Sequence, residues 1–149
     1  MDDQKFDEQD PCSYSIITYY ISEMPKDYLP MIFSRWLRSL RYGSPIYKKI
    51  PPRVYYKDYH KYIENLLDKP DSQVHLAVLS DDHDVVLGFA VTREDVLDYI
   101  HVHTDYRRNG IAKSLIPKGI TTFTHLTATG LLIWQSGLTY KHLEFNPRA

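Results

Sequence analysis

Residues 102–112 read Val-His-Thr-Asp-Tyr-Arg-Arg-Asn-Gly-Ile-Ala, and this stretch decides the fold. The residues before it, 96–102, mix apolar and polar side chains in the manner of a strand. A helix is predicted to begin near Gly110. At a strand-to-helix junction the backbone turns sharply, and a residue without Cβ permits both the turn and the close approach of a ligand. The first amides of a helix have no internal partners and lie at the positive end of its dipole. With Arg107 and Arg108 adding charge, such a junction is an anion site that suits a diphosphate. The chain contains neither Gly-x-Gly-x-x-Gly nor Gly-x-x-x-x-Gly-Lys-Ser/Thr, so two other phosphate loops are excluded.

Working toward the N-terminus, residues 74–79, 85–92 and 96–102 predict three strands of a meander, with turns over 80–84 and 93–95. Ahead of them lie two helices. In the first, Leu29, Ile32, Phe33, Trp36, Leu37 and Leu40 form one apolar stripe, with Arg35, Arg38 and Arg41 off it and Gly43 as a stop. In the second, Tyr55, Tyr59, Tyr62, Ile63, Leu66 and Leu67 share a face that Pro70 closes. The proline-bearing residues 44–53 read as a loop between them. Residues 13–21 are β-branched and aromatic and read as a first strand.

Toward the C-terminus, Pro117 must kink or end the helix that follows Gly110. Residues 131–134 form a short apolar run that predicts a buried strand. The strand–helix–strand crossover sets it parallel to residues 96–102. The last residues read as a short helix and a tail. The whole is an α+β, or mixed α/β, layer domain over residues 13–149, behind an acidic and mobile segment over residues 1–12.

This element order, and residues 102–112 position by position, resemble the GNAT superfamily of N-acetyltransferases. The family consensus runs valine, three variable residues, an aromatic, arginine, two residues, glycine, an apolar residue, then glycine or alanine. Val102, Tyr106, Arg107, Gly110, Ile111 and Ala112 fill those positions. The resemblance implies a central mixed sheet, with a meander and a splayed pair of parallel strands, and helices on both faces. It implies acetyl-CoA as cofactor, with the pyrophosphate on the amides of Arg108, Asn109, Gly110, Ile111 and Ala112. Backbone groups around Ile100 and Val102 would pair with the pantetheine. It further implies acetyl transfer to an amine, which needs a base. Asp98, four residues before Val102, is the first candidate, since Asp98, Ile100 and Val102 should alternate onto one strand face. His101 is the second, sharing the opposite face with His103; a histidine suits proton transfer near neutrality. Tyr140-Lys-His-Leu-Glu-Phe145 resembles the family ending of tyrosine, two residues, leucine, glycine and phenylalanine, which makes Tyr140 the candidate donor to the departing thiolate. Glu144 replaces the usual glycine, and the chain stops four residues after Phe145. The C-terminal strands are therefore expected to be shortened or missing, with an open acceptor groove or a homodimer partner completing the wall.

Composition narrows the rest. Apolar residues make up 43% of the 149, enough for a core. No apolar run reaches the roughly 20 residues of a membrane span. Cys12 is the single cysteine, which excludes an internal disulfide and suits a reducing cytoplasm. His101 and His103 without a third ligand make a poor metal site, so no metal is expected. The net charge of −1 hides a basic segment: residues 35–62 hold eight arginines and lysines against Asp58 alone, and six tyrosines. Arg35, Arg38, Tyr55 and Tyr56 are its candidate substrate-side residues. Basic and aromatic residues together suit a nucleic acid or an acidic protein surface; the plainer reading is a solvated basic face with tyrosines packed beneath. The competing function is a GNAT-shaped binding module for nucleic acid or a protein partner, without catalysis.

Overall fold

The computed structural model describes residues 13–107, 110–125 and 144–147. Cys12, Arg108, Asn109, Tyr140 and the strand expected over residues 131–134 lie outside them. Six strands form one sheet in chain order: β1 (Tyr14–Tyr20), β2 (Ser72–Leu79), β3 (Asp82–Arg93), β4 (Val96–Val102), β5 (Thr122–Phe123) and β6 (Glu144–Phe145). The first four pair antiparallel, and the last two pairings are parallel. The mixed sheet with helices on both faces is the predicted architecture. Two strands differ from expectation. The parallel partner of β4 among the described residues is Thr122–Phe123, which the polar threonines around Phe123 had disguised. Glu144–Phe145 extends the sheet instead of lying in a tail.

Helix α1 (Leu29–Gly43) buries Ile32, Trp36, Leu37 and Leu40 against one face, as the stripe requires. Helix α2 (Pro45–Lys48) occupies part of the expected loop, since Pro45 is tolerated in a first turn, where its missing N–H would have no partner. Helix α3 (Pro52–Leu67) follows, burying Tyr55, Ile63, Leu66 and Leu67. These helices and the residues Val74, Leu76, Phe89, Val91 and Tyr99 make the larger core. The opposite sheet face carries Leu87, Ala90, Leu97 and Val102, packed with Ile111 and Leu115 of helix α4 (Ile111–Leu115). That helix is five residues long. Its chain leaves helical geometry at Ile116, the residue before Pro117, because a proline disfavours the α region in its predecessor.

Arg41 departs from its predicted place off the stripe. It is buried, with Nη1 and Nη2 donating to Tyr47 O and Lys48 O, both at 3.4 Å. Its guanidinium lies 5.2 Å from the centroid of the Tyr55 ring. Those two carbonyls lie near the end of α2 and supply what a buried cation needs.

Candidate active site

Among the described residues β4 and β5 pair at Val96 opposite Thr122 and Leu97 opposite Phe123, followed by a bond from Thr124 N–H to Leu97 O at 3.1 Å and by side-chain contacts of Thr124 and His125 with Asp98 O. Beyond Leu97 no pairing of β4 with β5 exists among the described residues. On its other side β4 stays paired with β3 through Val102. His103 N–H donates to Leu87 O at 2.8 Å. Antiparallel pairs alternate between bonded and non-bonded, so Tyr99, His101 and His103 turn their backbone groups toward β3. Ile100 and Val102 turn theirs to the outer edge. Arg107 lies at that edge, its Nε donating to Val102 O at 3.0 Å.

The register also contains a bulge. Val91 faces Tyr99 and Thr92 faces Leu97, which leaves Asp98 as the extra residue. Leu97, Ile100 and Val102 face the α4 cluster while Tyr99 packs in the larger core. Two residues, not one, therefore separate Leu97 from Ile100 on that face. The alternation predicted for Asp98, Ile100 and Val102 fails for this reason. Asp98 is fully buried and gripped at both oxygens: Arg93 Nε donates to Oδ2 at 2.6 Å and Nη2 to Oδ1 at 2.9 Å. Thr124 Oγ1 lies 3.2 Å from Oδ1. An aspartate so occupied is a structural anchor.

The other candidates are distributed unevenly. His101 is half-buried beside Phe89, ring centroids 5.9 Å apart. Its pKa is pulled down to about 4, first by burial and then by the charges of Arg35 and Arg107 and by His103, so it stays neutral and accepts a proton poorly near pH 7. Arg35 is half-buried and donates to Val86 O at 2.8 Å. Tyr55 is fully buried and bonds to Leu37 O through its hydroxyl. It belongs to the core with Tyr47, Tyr56 and Tyr59 around it, so its expected substrate-side role is withdrawn. Tyr56 is half-buried in the same cluster, and Arg38 is exposed. In the loop, Thr104–Tyr106 forms a 3-10 turn. Gly110 has φ 77°, the left-handed conformation that its missing Cβ permits. Ile111 buries its side chain in the core, so only its backbone is available to a ligand. With α4 five residues long, its first amides carry little macrodipole.

Sequence reasoning missed His125, Thr124 and Arg93. His125 lies two residues after β5, its ring 5.9 Å from Trp36, 5.8 Å from Tyr99 and 5.5 Å from Tyr62. The β-branched run around Phe123 was the available signal. Gly88 was missed too. A Cβ there would meet His101 O at 2.7 Å and Val102 Cα at 3.1 Å. Gly88→Ala must push β4 aside, and a loss of about 1–3 kcal/mol in urea unfolding is expected; an unchanged midpoint would mean the strands part at no cost.

Burial depresses the pKa of three histidines, His75, His101 and His125. His75 is held between Thr18 Oγ1 and Thr92 Oγ1 at 2.8 Å each. Folded pKa values below the ordinary 6.5 mean that the unfolded chain binds protons first as pH falls. Stability is thus full above about pH 6.5 and declines toward pH 4. The melting temperature should drop steadily across that window, and a His75→Gln chain that still folds should lose part of the slope.

The fold is that of the GNAT acetyltransferases. Among solved structures the chain is similar to YycN of Bacillus subtilis, provisionally assigned as an acetyltransferase, at a TM-score of 0.57 and 13% identity over 83% of this chain and 92% of that one. It is also similar to a provisionally assigned acetyl transferase of Pyrococcus furiosus, at a TM-score of 0.55 and 14% identity over 89% of this chain and 80% of that one. The sequence matches no family model and no curated protein. No helix among the described residues is long and apolar enough to cross a membrane.

Proposed function

We propose that this protein transfers an acetyl group from acetyl-CoA to an amine. The observation that carries the reading is a parallel β4–β5 pairing whose last pair among the described residues is Leu97 with Phe123, with the backbone of Ile100 and Val102 turned to that outer edge of β4 and the left-handed Gly110 opening α4 beyond it. Acetyl-CoA supplies an activated acyl group as a thioester. The loop amides from Gly110 to Ala112, and the positive charge of Arg107 and Arg108 just before them in the sequence, favour its diphosphate. The Ile100 N–H, on the outer edge of β4, would pair with the linker or support negative charge on the acyl oxygen. Tyr140 keeps its assignment as donor to the thiolate. The exposed Arg38, Lys48, Lys49, Arg53, Lys57 and Lys61 favour an amine carried on an anionic acceptor.

Calorimetric titration of acetyl-CoA tests this. An aspartate at residue 110 would set a carboxylate against the diphosphate and strain the left-handed backbone. Gly110→Asp should therefore weaken binding at least tenfold. An intact protein that does not bind acetyl-CoA would end the reading.

A further inference from the structure

The first side chain beyond the last bond between β4 and β5 is His125, and none of the roles above uses it. Its Nδ1 lies 2.7 Å from Asp98 O and 2.9 Å from Thr124 Oγ1. A carbonyl oxygen can only accept, so a contact of 2.7 Å requires a hydrogen on Nδ1. The neutral ring then carries its lone pair on Nε2. Thr124 completes the arrangement: its hydroxyl accepts from Nδ1 and donates toward Asp98 Oδ1, 3.2 Å away. Among the described residues, Nε2 has no hydrogen-bond partner.

The bulge makes this possible. Because Asp98 is the extra residue of β4, its carbonyl is turned out of the β3 ladder and meets the histidine. Arg93, gripping both carboxylate oxygens, fixes the bulge. Trp36, Tyr62 and Tyr99 wall the ring, and burial holds it neutral by lowering its pKa. From Leu97 to Val102 the strand spans roughly 16 Å at about 3.3 Å per residue. A ligand anchored by its diphosphate at the Gly110 end would thus bring the far end of an extended linker to His125. Neither earlier candidate competes: Asp98 has both oxygens engaged, and at His101 the charges of Arg35 and Arg107 add to burial in pulling the pKa down to about 4, whereas at His125 the Asp98 carbonyl and carboxylate oppose burial.

We infer that His125 is the general base of acetyl transfer, with Nε2 as the accepting atom and Asp98 O as the group that selects the tautomer. The inference rests on the acetyl-CoA reading. In the step, the acceptor nitrogen forms its bond to the acyl carbon and the carbon–sulfur bond breaks. The proton of that nitrogen passes to His125 Nε2. The thiolate leaves and is protonated, and His125 returns its proton to solvent. Asp98 and Arg93 are positioning residues.

Nitrogen-15 NMR of the intact protein at pH 7 tests the tautomer, with the His125 signals assigned by their loss in His125→Gln. A protonated Nδ1 and a bare Nε2 are expected, and acetyl-CoA should shift the His125 ring while leaving His75 in place. A proton on Nε2 instead would overturn the inference, as would acetyl-CoA that moves the Gly110 amide but not His125. If acetyl-CoA moves neither, the acetyl-transfer reading itself fails, and the inference with it. Thiol release from acetyl-CoA with ethylamine at high concentration supplies the kinetic arm. His125→Gln should bind acetyl-CoA within about twofold of the parent yet lose about 100-fold or more in rate, the usual contribution of a positioned base. A variant that keeps the parent rate, or a parent no faster than the uncatalysed reaction, counts against it.

Discussion

Asp98→Ala is expected to lower the unfolding free energy by about 3–5 kcal/mol, the usual cost of removing one partner from a buried ion pair. The Asp98 side chain is wholly buried and the Arg93 side chain is 12% exposed, so the deletion takes from the guanidinium two charge-assisted hydrogen bonds that water replaces poorly there. Thr124 Oγ1 loses an acceptor as well. The sequence motivates a different outcome: a base on a cleft wall would cost turnover and little stability. Urea unfolding separates the two. A loss below about 1 kcal/mol would place Asp98 in a wetter setting than the bulge provides. Asp98→Asn keeps the shape and one acceptor oxygen and should fall between Ala and the parent. In either variant, acetyl-CoA binding should fail only as the fold does, because Asp98 lies near the start of β4 and Gly110 beyond its end.

Trp36→Ala carries the second large effect, about 3–5 kcal/mol for an aromatic deleted from a packed core. The indole is fully buried. It stacks on Tyr99 with centroids 4.9 Å apart and planes 10° apart, and meets the edge of His125. Tyr99 is in turn tied to Ser39 through its hydroxyl at 2.6 Å. Removing the indole opens a void beside the ring assigned as the base. Trp36→Phe gives the informative contrast. Trp36 Nε1 is buried with no hydrogen-bond partner among the described residues, and such a donor costs about 1–3 kcal/mol in the parent. Phenylalanine discards that penalty along with some volume, so it should cost far less than alanine. Equal losses in the two variants would mean the N–H is satisfied in solution.

The basic segment shows how composition and fold diverge. The eight positive charges over residues 35–62 are legible in the sequence, but their directions are not. Arg41 turns inward to carbonyls near the end of α2, and Arg35 reaches a strand carbonyl at Val86. Tyr55 fills the core while Tyr42 lies exposed. The plainer reading, tyrosines packed beneath a basic face, holds for Tyr47, Tyr55, Tyr56 and Tyr59. It fails for Tyr42 and for the two arginines. A 3.6-residue period states which residues share a face; it cannot state which carbonyls that face will meet.

What the sequence determined by itself is local. The apolar stripe of α1, the meander over β2 to β4, the glycine turn at Gly110 and the end of α4 before Pro117 follow from side-chain periodicity and from the φ preferences of glycine and proline. Each depends on residues a few positions apart. The tertiary structure alone decided the interior of the site. The bulge at Asp98 exists because β3 and β4 pair in one register beyond it and another before it. Arg93 reaches Asp98 only across the tight turn between those strands. His125 meets the Asp98 carbonyl because β5 pairs with β4 and brings a residue 27 positions later in the chain beside it. A bulge inverts the alternation on which strand reading relies, and the partner strand that imposes it leaves no mark on the bulged residue itself.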